Sequence, residues 1–255
     1  MRHLGRSLAA LLTAGVLLAI GWPGEGRALR SNARVPILMY HVVSSPRTDA
    51  AYPDLFVSEP RFRAQMRLLA AEGYDAVTLD EVFASWRGGR PLPARPIVVT
   101  FDDGYRSVHT NAFPILERLG WPAVLNLTVR NQHVSGGLSP WKVETLVAAG
   151  WELDSHSSTH PDLTGLDRAS FEREVAGSRR ALRRRYGEPV SFFCYPAGRY
   201  SDAVVSAVKA AGYLGAMTTR PGLARADEAY VLARVRVSGG DSAASLLAKL
   251  AALGA

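Results

Sequence analysis

Two carboxylates stand side by side at the end of an apolar run, in Val98-Val99-Thr100-Phe101-Asp102-Asp103-Gly104-Tyr105. Like charges that close repel, and protonation or a cation relieves the repulsion. A short β-branched run entered through Pro96 reads as a buried parallel strand. The carboxyl ends of such strands are where α/β proteins build their sites. The pair is therefore read as half of a metal site. The other half is His156-Ser157-Ser158-Thr159-His160, which follows a second strand-like run, Trp151-Glu152-Leu153-Asp154-Ser155. A spacing of four puts both imidazoles on one side of a helical turn. One carboxylate and two imidazoles make a set of three ligands. Such a set leaves positions for water and substrate, as catalytic metal sites do.

The elements that must position these groups alternate. Strand patterns at 35–43, 97–99, 123–129, 151–155, 190–195, 213–218 and 230–237 are interspersed with helical patterns at 60–74, 79–86, 108–119, 140–149, 168–186, 201–211 and 242–253. Thr78-Leu79-Asp80-Glu81 fits a capping box, and Ser201 fits a helix N-cap. Strand–helix alternation implies parallel β and α layers, either a barrel or a doubly wound sheet. No internal repeat and no linker interrupts the chain after residue 34. One catalytic domain over residues 29–255 is expected.

Residues 1–28 read as a targeting segment, a signal peptide or an N-terminal anchor. Arg2, His3 and Arg6 precede an apolar stretch from Leu8 to Ile20, and Gly26-Arg27-Ala28 offers a cleavage site. This implies a secreted, periplasmic or cell-envelope protein. The single cysteine, Cys194, excludes an internal disulfide and reads as a small buried hydrophobe. The net charge is +7, from 30 Lys and Arg against 23 Asp and Glu. No basic run is interleaved with aromatics, so no nucleic-acid partner is expected. Arg179, Arg180, Arg183, Arg184 and Arg185 read as a solvated helix face, with an anionic cell surface or polymer as the alternative partner.

Thr100-Phe101-Asp102-Asp103-Gly104 and His156-Ser157-Ser158-Thr159-His160 resemble the first two motifs of the polysaccharide deacetylases, the NodB-homology domain of carbohydrate esterase family 4. Leu38-Met39-Tyr40-His41 and Phe193-Cys194-Tyr195-Pro196-Ala197-Gly198 resemble the branch that contains poly-N-acetylglucosamine deacetylases. The resemblance spans roughly residues 35–237 and implies a distorted (β/α) barrel in a single domain. It implies that Asp103, His156 and His160 bind a divalent ion, usually Zn2+, with Co2+ or Ni2+ as alternatives. It makes Asp102 the general base and the main-chain N–H of Tyr195 an oxyanion donor. The substrate it implies is an N-acetylated glycan. An amide needs such help, because its carbonyl is a poor electrophile and its nitrogen a poor leaving group.

The chain departs from the family pattern in three places. Cys194 stands where an arginine commonly braces the base, so any brace must come from elsewhere. No Asp-x-x-Asp-Trp motif is present. No late Leu-x-x-His is present either, and the chain has no histidine after His160. The general acid is therefore sought in His41, at the end of the first strand, or His133. Tyr40, Trp141 and Tyr200 are candidates for stacking on sugar rings. Asp154 and Asp162 are candidates for orienting a ligand imidazole. Two rival readings stay open: an O-acetyl xylan, peptidoglycan or chitin-oligomer deacetylase of the same fold, and a weakly catalytic glycan-binding module; a glycosidase using the two aspartates is set aside. Neighbouring residues do not span the roughly 5–9.5 Å between carboxyls that glycosidases use. The sequence leaves the oligomeric state open.

Overall fold

A computed structural model of the chain describes residues 33–255. The proposed targeting segment, residues 1–28, lies outside the described residues. The described residues form eight parallel strands: β1 (Ile37–Tyr40), β2 (Asp75–Ala76), β3 (Pro96–Asp103), β4 (Val124–Leu127), β5 (Glu152–Ser155), β6 (Phe192–Cys194), β7 (Gly215–Pro221) and β8 (Leu232–Arg236). Seven of them close into a barrel in the order β1-β8-β7-β6-β5-β4-β3, with β3 pairing back onto β1. β2 is a short appendage on the lower part of β3, pairing at Pro96 and Ile97. β1 takes the same edge above it, from Val98 to Phe101. The expected single-domain (β/α) barrel is the fold observed, and closure excludes the doubly wound alternative.

Side chains on successive strand residues point to opposite faces. Val98 and Val124 fill the barrel interior with Ile37, Phe192, Cys194, Met217 and Leu232. Val99, Phe101, Leu125, Leu153 and Phe193 pack outward under the helices. Both faces are thus buried, which is why these strands read as continuous apolar runs. Helix α2 (Leu79–Trp86) adds Leu79, Val82 and Phe83 to the interior cluster. Its N-terminus carries the expected capping box at Thr78 and Glu81.

The outer layer comprises α1 (Glu59–Ala71), α3 (Phe113–Glu117), α4 (Pro140–Ala148), α5 (Arg168–Glu172), α6 (Ser178–Tyr186), α7 (Asp202–Ala210) and α8 (Ala243–Leu253). Two of the expected helices are not regular. A π-turn at Val108–Ala112 opens the one that ends as α3, and another at Arg173–Gly177 joins α5 to α6. Such one-residue insertions leave the apolar pattern helical on both sides, so periodicity does not reveal them. No helix among the described residues is long and apolar enough to cross a membrane.

Candidate active site

The site sits at the carboxyl ends of β1, β3, β5 and β6. Asp102 and Asp103 close β3 in register with Asn126 and Leu127 of β4. An undisturbed strand would send the two carboxylates to opposite faces. Asp103 instead takes φ 71°, so its carboxylate turns to the rim while Asp102 stays in the barrel mouth. Gly104 follows at φ +89°, and a Cβ there would lie 2.3 Å from Leu127 Cδ1. Only glycine fits that turn.

Asp103 Oδ1 lies 3.5 Å from Nε2 of both His156 and His160. Three donors about 2.1 Å from one ion at tetrahedral angles stand about 3.4 Å apart. The set therefore fits a metal ion. His156 is buried and its Nδ1 lies 2.7 Å from the Cys194 carbonyl oxygen. That contact makes Nδ1 the protonated nitrogen and leaves Nε2 for the ligand position. Burial lowers the His156 pKa, against the pull of Asp102 and Asp103. A neutral imidazole is the metal-binding form.

The two histidines are not on a helical turn. Residues 156–160 form a loop in which Ser157 has φ 65° and His160 φ 62°. The four-residue spacing is closed by two left-handed residues, and the His160 N–H donates to Ser157 Oγ at 2.9 Å. Of the five non-glycine residues at positive φ among the described residues, four lie in the site loops: Asp103, Ser157, His160 and Ala197. Backbone strain of this kind gathers where a site must be held in shape.

Asp102 is 1 % exposed and is gripped by a residue that the sequence did not single out. Arg234, on β8, lies inside the barrel and donates to Asp102 Oδ1 at 2.8 Å and Oδ2 at 2.7 Å. Its Nε donates to the Thr218 carbonyl and its Nη1 to Thr100 Oγ1. Asn126 Nδ2 adds a 2.7 Å bond to Asp102 Oδ1. Burial by itself would raise the Asp102 pKa. The Arg234 guanidinium more than reverses this and holds the carboxyl far below the usual carboxylate range. The brace missing at Cys194 thus comes from another strand. Cys194 is buried with its Sγ 3.3 Å from Arg234 Nη2, and burial pushes its thiol pKa well up. Asp102, His156 and Cys194 form a second cluster of ligand-type atoms. The Arg234 cation already occupies both oxygens of that aspartate, so the cluster is a poor metal site.

His41 Nε2 lies 3.8 Å from Asp102 Oδ2. Burial lowers its pKa, while Asp102 and Asp103 pull it up. His133 is exposed in a 3-10 turn at Val129–His133. Tyr105, after the glycine turn, has its hydroxyl pushed up to about 12 by burial and by Asp103.

Tyr195 requires a correction. Its main-chain N–H donates to the Met217 carbonyl at 3.0 Å, so pairing of β6 with β7 uses the group expected to meet an oxyanion. Its ring is buried and its hydroxyl donates to the Tyr230 carbonyl. The chain then turns through Pro196–Gly198, with Ala197 at φ 52° and Gly198 at φ 71°. The Gly198 N–H donates to Tyr195 O and the Arg199 N–H to Pro196 O. The Ala197 N–H has no acceptor among the described residues.

Neither flanking aspartate orients a histidine. Asp162 caps the turn at Leu163–Gly165 and pairs with Arg199 at 2.6 Å. Asp154 accepts from the Phe192 N–H at 2.8 Å and faces Glu152. Burial raises the Asp154 pKa to about 7, and burial together with Asp154 raises that of Glu152 well above its ordinary value. The fold thus favours the protonated pair. Stability from it is complete below the unfolded carboxylate range near 4 and is lost as pH rises toward 7. Asp154→Asn is expected to flatten the fall in melting temperature between about pH 4 and 7. An unchanged slope would show that folding does not raise the Asp154 pKa.

Tyr40 is core, not a sugar platform: it is fully buried and its hydroxyl donates to Gln65 Oε1. Trp141 and Tyr200 are 57 % and 38 % exposed, so each can still offer a ring face. The arginine-rich helix face lines a groove of about 590 Å³ against α7 that shares no residue with the site. Arg179 is tied to the Val190 and Ala211 carbonyls and Arg180 to Glu172.

The sequence profile of a family described as polysaccharide deacetylase matches residues 89–216. A Bacillus subtilis protein, provisionally named a polysaccharide deacetylase, is 30% identical over 211 residues, covering 82% of this chain and 74% of its own. The poly-beta-1,6-N-acetyl-D-glucosamine N-deacetylase of Escherichia coli K12 is 36% identical over 103 residues. That match covers 40% of this chain and 14% of the E. coli protein. Among solved structures, a Streptococcus pyogenes deacetylase in complex with acetate superposes with a TM-score of 0.79 at 26% identity, covering 86% of this chain and 98% of the other.

Proposed function

Since the chain belongs to the polysaccharide deacetylase family, we propose that it is a metal-dependent hydrolase that removes N-acetyl groups from a poly-N-acetylglucosamine-like polysaccharide outside the cytoplasm. The observation that carries the chemistry is the separation of two adjacent acids, with Asp103 aimed at two imidazoles and Asp102 locked on a buried arginine. The observation that favours this polymer is the match to the E. coli enzyme. The apolar stretch before residue 28 supports export, and the arginine-lined groove is complementary to an anionic cell envelope.

Asp103, His156 and His160 hold the ion, for which the one-carboxylate, two-imidazole donor set favours Zn2+, with Co2+ or Ni2+ able to substitute. When bound, the ion supplies Lewis acidity toward the acetyl carbonyl and makes water a stronger acid. Asp102 accepts the proton of the attacking water. Its depressed pKa keeps it ionised across the physiological range. Arg234 and Asn126 fix its orientation. The oxyanion meets the Ala197 N–H in place of the Tyr195 N–H, which is already bonded. The proton taken up by Asp102 passes to His41, 3.8 Å away, which delivers it to the leaving amine and returns to the neutral form.

The test is acetate release from poly-β-1,6-N-acetylglucosamine, chitin oligomers, peptidoglycan and acetylated xylan, before and after chelation and with Zn2+ restored. Release from the first polymer that stops on chelation and returns with metal is expected. Release from xylan alone would replace an amide substrate by an ester. Release indifferent to chelation would remove the metal from the reading.

A further inference from the structure

We infer that Glu174, sixteen residues beyond Ser158 in the loop it grips, is the positioning residue that sets the geometry of the metal-ligand loop. The inference rests on the metal reading above. Glu174 is 9 % exposed and sits in the π-turn at Arg173–Gly177. The extra residue of a π-turn rotates the remainder of the helix about its axis, and such turns cluster at functional positions. Here the carboxylate reaches the loop between the two histidines. Its Oε2 accepts from the Ser158 N–H at 2.9 Å and the Thr159 N–H at 2.8 Å. Its Oε1 accepts from Thr159 Oγ1 at 2.8 Å. The Ser158 hydroxyl donates to the Arg173 carbonyl at 2.9 Å. One helical turn therefore holds two of the three residues that separate the ligands.

The grip answers a need that the loop itself creates. Ser157 and His160 are both left-handed, at φ 65° and 62°, and an L residue leaves that region unless its surroundings hold it. On the other side, Ser157 O and Ser158 O accept from the Val129 and Arg130 N–H groups. The loop is clamped between the segment after β4 and the π-turn, and only the π-turn contributes a charge. Among the described residues Glu174 has no basic ion-pair partner. Its charge is met by three N–H and O–H donors, the arrangement that makes hydrogen bonds strongest. If those bonds go, His160 loses its alignment with His156 and Asp103 before the barrel loses anything.

The experiment measures Zn2+ affinity by competition with a chromogenic chelator, beside melting temperature and amide exchange of the metal-free protein. Glu174→Ala is expected to weaken Zn2+ binding 10- to 100-fold, to speed exchange at Ser158 and Thr159, and to leave exchange of the β-strand amides unchanged. Glu174→Gln keeps an acceptor and a similar shape, so it should recover part of the affinity. If Glu174→Ala fails to fold, Thr159→Val, which removes only the hydroxyl contact, is expected to weaken binding several-fold. Wild-type Zn2+ binding matched by Glu174→Ala within two-fold would overturn the inference while leaving the metal site intact. If the wild type binds no Zn2+, or His160→Ala binds it equally well, the metal reading itself fails and takes this inference with it.

Discussion

Arg234→Met is expected to destabilise the fold by about 3–5 kcal/mol, the cost of leaving a buried charge without its partner. It is also expected to shift the acidic limb of the pH–rate profile upward. Both effects come from one contact. Arg234 and Asp102 are almost wholly buried, and the guanidinium meets both carboxylate oxygens. With the arginine in place, the Asp102 pKa lies below its unfolded value. The pair's stabilisation is then present above the usual carboxylate range and is lost as pH falls through the folded pKa. Without it, burial pushes the pKa up, and Asp102 becomes protonated at pH values where it must act as base. Arg234→Lys should restore charge without the two-pronged grip, so its profile should fall between the two. The double variant Cys194→Arg with Arg234→Ser moves the guanidinium to the neighbouring position, 3.3 Å away in the present structure. It should recover part of the lost acidic limb. An Arg234→Met enzyme with normal stability and an unmoved limb would remove the arginine from any role in setting the base.

Asp102→Asn is expected to lower kcat about 10²- to 10⁴-fold, the contribution of a positioned base, with Zn2+ affinity within a few-fold of the wild type. Asp103→Asn should lose both activity and metal affinity. The contrast separates two residues that adjoin in sequence and share one strand end. It is drawn from geometry: Asp103 Oδ1 faces both imidazoles, whereas both Asp102 oxygens face Arg234. Asn at position 102 keeps the shape but leaves the guanidinium without a counter-charge, so the melting temperature of the metal-free variant must be read beside kcat. A variant that folds, binds Zn2+ and still releases acetate at the wild-type rate would sink the assignment of the base.

The alternation of strands and helices was legible, because strands buried on both faces show as apolar runs and helices as periodic ones. The Thr78 capping box and the Ser201 cap were legible for the same local reason. The π-turns were not, since each adds one residue without disturbing the pattern on either side. The left-handed residues at 157 and 160 were not, because neither is glycine. The Tyr195 N–H, expected to face an oxyanion, is taken up by strand pairing instead. Which amide a strand pairing consumes is a matter of register, and β6 pairs Cys194 with Met217.

Asp102, Asp103, His156 and His160 could be named from the sequence because their residue types carry the chemistry and their motifs are short. The partners that tune them could not. Arg234 lies 132 positions from Asp102 and looks, in Leu232-Ala233-Arg234-Val235-Arg236, like any strand arginine. Closure of the barrel brings β8 beside β1 and turns Arg234 into an interior that no local pattern describes. The groups proposed to react and the order of the elements can be read along the chain, because each is a local property. Which cation holds Asp102, and which main-chain N–H groups of residues 195–198 are consumed by pairing, emerge only when the barrel closes. Those depend on ring closure and strand register, contacts between residues far apart in the chain.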